Sequence, residues 1–162
     1  MIREIFKNQI QISAYTVLQN IDGIVHEESL TSAPAGGNSV NWVLGHIVDS
    51  RGGMLELLGG ERLPIEGLAE VYKRGSSAIG PGADCIKIEY LKDAFATYQD
   101  SLTERLDAVD VSWFAQECAG LFDPELKTTQ AEKLSTLVFH ECYHAGQLGV
   151  IRRAIGRDGK IQ

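Results

Sequence analysis

The residues of this chain best placed to do chemistry are three of its four histidines: His140, His144 and the distant His46. His140 and His144 are four positions apart, so on a helix they project from one face, one turn apart. Neutral imidazoles in that arrangement can hold one divalent cation, and a third from another helix completes a facial set. Three protein ligands leave coordination positions open for water or substrate, which separates a catalytic metal from a structural one.

The run His140-Glu141-Cys142-Tyr143-His144 also spells the H-E-x-x-H of zinc proteases, in which the Glu is the general base. Such proteases take a third ligand from downstream. Here no His and no Glu follow His144, and the extended pattern, which wants Gly at 147 and His at 150, meets Gln147 and Val150. A third histidine ligand must therefore come from upstream, where only His26 and His46 remain. His26 lies in or beside a loop with two Glu neighbours and reads as solvent-exposed.

On a helical wheel, Leu137, Leu148, Ile151 and Ile155 fall within about 80° of His140, so both histidines point toward the core. Glu141 sits on a flank, about 60° from His144, where it can serve as a base or steady a ligand, or instead be an ion-paired carboxylate. Gln147 continues the His140 face and is placed to orient a ligand or substrate. Cys142 points away from both histidines and reads as a packed thiol. Tyr143, Phe139, Val150 and Ala154 form a second apolar strip that predicts another helix against it, from this chain or a partner subunit. His46 falls at the edge of an apolar arc centred on Val43, Ile47 and Met54. Asp49, beside it on the wheel, is either a further carboxylate for the site or a surface acid.

Four segments carry the helical period that must position these groups: roughly 2–24, 40–58, 89–109 and 128–156. The first alternates four- and three-residue steps through Ile10, Ala14, Val17, Ile21 and Ile24. Asn38 or Ser39 is the predicted N-cap of the second, which Gly59-Gly60 should end. The third carries Leu91, Phe95, Tyr98, Leu102, Leu106 and Val109 on one stripe. Gly156 is a candidate C-cap for the fourth. No strand competes strongly, although 85–91 alternates briefly. This pattern predicts an all-α four-helix bundle in a single domain spanning 1–162. The connection 60–88 is far longer than a bundle turn needs, so it predicts a crossover between the second and third helices and a border for the site. Trp113 and Phe114, in the 110–127 connection, should tuck into the core.

Composition narrows the function classes. Hydrophobic residues are 44% and charged residues 23%, an ordinary globular balance, and the formal net charge is −7. That charge speaks against a nucleic-acid partner and against docking on anionic lipid. No stretch approaches a membrane span, and the charged N-terminus lacks the apolar run of a signal peptide. Three widely spaced cysteines fit a reducing cytoplasm better than a disulfide framework.

NSVNWVLGHIVDS, followed far downstream by HECYHAGQLGVIRRAIG, resembles the DinB-like superfamily of four-helix bundles. This includes the YfiT-type proteins, bacillithiol S-transferases and, more distantly, mycothiol-dependent maleylpyruvate isomerases. The shared elements are W-x-x-G-H on the second helix and H-x-x-x-H-x-G-Q on the last, and the likeness covers the whole chain. The resemblance implies an up-down-down-up topology, frequent homodimers, and His46, His140 and His144 as ligands of a divalent metal, zinc or nickel foremost, with manganese or iron as further candidates. It also implies a small-molecule substrate and, in members with assigned activities, activation of a low-molecular-weight thiol. A metal-dependent thiol S-transferase acting on small electrophiles is the first expectation, with Glu141 or Asp49 managing protons. A metal-dependent hydrolase on the same site and a non-catalytic, metal-stapled dimeric stress protein are the alternatives.

Overall fold

The computed structural model describes residues 1–32 and 36–161. Its four long helices are α1 (Ile2–Ile21), α3 (Val40–Leu57), α5 (Ile88–Ala108) and α6 (Gln130–Ala154). Two short helices, α2 (His26–Ser29) and α4 (Leu68–Tyr72), lie in the connections. A 3₁₀ turn (Val111–Ala115) and a small antiparallel hairpin, β1 (Glu117–Ala119) with β2 (Lys127–Thr129), precede α6. Among the described residues the chain is thus mostly helical, and no helix is long and apolar enough to cross a membrane.

The helix ends follow local chemistry. Ser39 caps α3, its side chain accepting from the Trp42 amide. Beyond α3 the chain turns through Gly59 at φ +75°, a left-handed conformation that glycine adopts without penalty. Thr129 and Glu132 form a reciprocal capping box at the start of α6, which therefore begins two residues later than the periodicity suggests. Arg152 and Arg153 lie in its last turn, where the helix dipole favours positive charge. The first helix stops at Ile21, short of the predicted 24, and Ile24 is buried from the following turn. The hairpin was not legible beforehand, because strands of three residues carry too little alternation to register. Residues 85–87 form no strand before α5 begins.

α1 packs against α5 and α6, and α3 packs against the same two. The core is the set of predicted stripes: Ile10, Val17 and Ile21 meet Val43, Ile47 and Met54, Leu91 to Leu106, and Leu137 and Leu148. Phe114 joins it, stacked parallel on Phe6 with ring centroids 5.7 Å apart. α3 is buried nearly all round, because α4 and the following connection cover the side that α5 and α6 leave free.

One polar node sits inside this apolar packing. Arg51 of α3, wholly buried, donates Nε and Nη2 to the two oxygens of Glu141 on α6, at 2.8 and 2.7 Å. The Ser13 hydroxyl of α1 also donates to Glu141, and the Arg51 guanidinium lies 3.7 Å from the ring centre of Phe95 on α5 while Nη1 donates to the Phe95 carbonyl. All four long helices touch this node. Breaking a buried ion pair from one side strands the other charge in low dielectric, at a cost of about 3–5 kcal/mol. Glu141→Ala should lower unfolding free energy by that order in denaturant titrations, with most of the loss recovered in the paired variant Arg51→Met/Glu141→Leu.

Candidate metal centre

α3 and α6 bring His46, His140 and His144 together. The Nε2 atoms of His46 and His144 each lie 3.1 Å from Nε2 of His140, and all three fall within 4.8 Å of one another. The rings stand steeply to each other, with interplanar angles of 72°, 80° and 77°. The far side of each ring is held. Nδ1 of His46 is 2.7 Å from the Tyr72 carbonyl oxygen, which only accepts, so that nitrogen carries the hydrogen. Nδ1 of His144 donates to Gln147 Oε1 at 2.7 Å, and the Gln147 amide donates in turn to the Tyr143 hydroxyl. The Ser50 hydroxyl lies 3.4 Å from Nδ1 of His140.

These contacts aim the Nε2 lone pairs of His46 and His144 at Nε2 of His140, where lone pairs facing each other repel unless a cation or proton lies between them. Two nitrogens bound at ~2.1 Å to one cation, at an angle between a right angle and the tetrahedral value, lie ~3.0–3.4 Å apart. The observed 3.1 Å spacings fit a transition-metal ion, and the held Nδ1 atoms match how metal-binding histidines are oriented. The electrostatics agree. Burial lowers the His140 pKa to about 4; positive charge on His144, His46 and Arg74 acts in the same direction and Glu141 opposes it. Burial, chiefly, also lowers that of His144. Both imidazoles are therefore neutral at pH 7, the form that binds metal.

The sequence motifs acquire physical reasons here. Trp42 stacks on His46, with ring centroids 4.9 Å apart, and its indole N–H donates to Ser76. Gly45 lets the Tyr72 ring lie against α3: a Cβ at position 45 would stand 2.2 Å from Tyr72 Cδ1. Tyr72 is buried, and its hydroxyl donates to Asn41 Oδ1 and accepts from the Ile86 amide, while Asn41 donates to the Ile86 carbonyl. The long connection thus borders the centre, held at Tyr72, Ser76 and Ile86 by residues of α3.

The remaining candidates are placed as follows. Gln147 reaches the centre through His144. The Glu141 carboxylate is engaged by Arg51 and Ser13 rather than by the imidazoles, and is 1% exposed. Asp49 pairs with Arg62 at 2.8 Å and stands outside the histidine cluster. Cys142 is exposed rather than packed, lying with Ile12 and Phe139 along the groove between α1 and α6. His26 is partly buried, its Nδ1 accepting from the Ile88 amide at 3.4 Å at the start of α5. Periodicity did not single out Arg51, Tyr72, Asn41 or Ser50. Arg51 alone left a trace, since an arginine four residues after Ile47 falls on the apolar arc of α3 and must find a buried anion.

A family model described as the DinB superfamily matches residues 13–148. No curated protein matches the chain. Among solved structures, a conserved protein from Enterococcus faecalis is similar at a TM-score of 0.70 and 13% identity, over 94% of this chain and 95% of that one. At that identity the likeness is one of fold.

Two outcomes follow from this geometry. Gly45→Ala should cost about 1–3 kcal/mol in unfolding free energy, read in denaturant titrations, through overpacking against Tyr72, and should shift the Tyr72 carbonyl off His46. Separately, because the folded state holds His140 near 4 while an unfolded histidine titrates near 6.5, the unfolded chain takes up protons first on acidification. Chelator-treated protein should keep this stability above about pH 6.5 and lose it progressively toward pH 4, read as a falling melting temperature.

Proposed function

We propose that this chain, which belongs to the DinB superfamily, is a divalent-metal-dependent enzyme that joins small thiols to small electrophiles. The observation that carries this reading is the convergence of three Nε2 atoms with Nδ1 of His46 and His144 engaged by acceptors and that of His140 beside Ser50. His46, His140 and His144 are the ligands in this reading, and zinc and nickel are among the metals that imidazole suits. When bound, such a cation lowers the pKa of a thiol and stabilises the thiolate, the competent nucleophile. The chain supplies the rest. The Tyr72 carbonyl, Ser50 and Gln147 hold the imidazoles in register, while Trp42 and Tyr143 wall the approach. Glu141 and Asp49 act as anchors for Arg51 and Arg62 in this reading, not as proton carriers at the metal.

The pairwise packing of α1, α3, α5 and α6 supports an up-down-down-up bundle with residues 58–87 as the crossover. A homodimer is part of the same proposal. Phe139, Tyr143 and Val150 on α6 are 71%, 58% and 64% exposed, and Phe139 shares a groove with the exposed Ile12 of α1, giving apolar surface for a second copy. The three unpaired cysteines suit a reducing compartment such as the cytoplasm.

Wild-type protein and His140→Ala, each analysed for metal content, should be incubated with a panel of thiols plus model electrophiles and, separately, with a panel of esters. Thiol conjugation that disappears together with metal in His140→Ala is the expected result. Metal retained at full stoichiometry in that variant would overturn the ligand assignment, and ester cleavage without thiol conjugation would replace transferase by hydrolase chemistry.

A further inference from the structure

The cavity over the histidine cluster, about 440 Å³, is at the small end of ligand pockets. Its walls are Trp42, Phe122 and Tyr143 around the three histidines, with Arg74 at the rim. Although the chain has 22 acidic residues against 15 basic ones, no carboxylate lines this cavity among the described residues. The acids nearest in sequence to the histidines are already neutralised, Glu141 by Arg51 and Asp49 by Arg62. Arg74 is exposed and forms no ion pair among the described residues. Imidazole ligands do not cancel the charge of a divalent cation, so a cavity holding that cation and Arg74 is strongly positive inside a protein that is otherwise acidic. An occupant must bring the missing negative charge.

From this juxtaposition we propose that Arg74 is a specificity-determining residue, binding the carboxylate of a small organic acid whose apolar body lies between Trp42, Phe122 and Tyr143 and whose reacting end faces the histidines. The inference deepens the metal-dependent reading and rests on it for the reacting end. A planar guanidinium matches a carboxylate with paired hydrogen bonds. The aromatic walls suit a flat or aliphatic body. Arg74 is held in place by its neighbours. The segment carrying it is fixed two residues before by Tyr72, whose carbonyl holds His46, and two residues after by Ser76, which accepts from the Trp42 indole.

The chain has two tryptophans, so Trp113→Phe leaves Trp42 as the sole fluorophore, inside the cavity. In that background 3-phenylpropionate and 3-phenylpropanol should be titrated against Arg74 and Arg74→Gln proteins, each both zinc-loaded and chelated, with zinc content measured on every sample. The acid should bind at least about tenfold more tightly than the alcohol, and Arg74→Gln should abolish that preference while leaving zinc content and alcohol binding unchanged. Equal binding of acid and alcohol, a preference that survives Arg74→Gln, or failure of both probes to bind would overturn the assignment. Zinc bound at full stoichiometry with no acid preference refutes the arginine subsite and leaves the metal reading intact. An Arg74-dependent preference in protein that takes up no zinc on loading supports the subsite and refutes the metal reading.

Discussion

The structure depends on one buried ion pair. Arg51 and Glu141 join α3 to α6, the two helices that carry the histidines, and Ser13 and Phe95 tie α1 and α5 to the same node. An apolar interface tolerates small rotations and slides, because dispersion and burial are not directional. A bidentate guanidinium–carboxylate pair at 2.7 and 2.8 Å does not, since its geometry is planar and its partners have no water to replace them. Glu141 is next to His140 in sequence and Arg51 is next to Ser50, which faces His140 Nδ1. The pair therefore sets the register of α3 against α6 at the point where the imidazoles must meet.

The long connection between α3 and α5 imposes the second constraint. It serves as a wall of the histidine centre, held by a short circuit of hydrogen bonds through Asn41, Tyr72 and Ile86 and by the Trp42–Ser76 contact. Gly45 makes the close approach possible and the Tyr72 carbonyl converts it into a fixed orientation of His46. The tryptophan, glycine and histidine of the W-x-x-G-H pattern thus have one task between them: to bring a backbone carbonyl from another segment onto the back of the His46 ring.

Charge is distributed to the same end. The acids near the centre are consumed by arginines that serve packing, which leaves the cavity itself without a carboxylate. The proton-handling role that the sequence suggests for Glu141 fits this distribution poorly, because a carboxylate accepting from Arg51 and Ser13 has little capacity left to take up a proton. The H-E-x-x-H string is therefore a coincidence of two separate functions: histidines facing the cavity and a glutamate facing the core.

The helices, their stripes and the three-histidine set were all legible in the sequence, because they depend on local periodicity and on the identity of side chains that bind metals. His140 and His144 share a face by helix geometry alone, and Ser39 follows from capping chemistry within three residues. The destination of Glu141 was not legible, since a helical wheel gives a direction but not what lies there, and its partner is 90 positions away. The same holds for Cys142, left exposed along the groove between α1 and α6, and for Tyr72 and Arg74, which reach the centre only because a connection without periodicity folds back on α3. Side-chain type and spacing determined which atoms can bind a metal; only the packing of one helix against another decided where their lone pairs converge and what faces them.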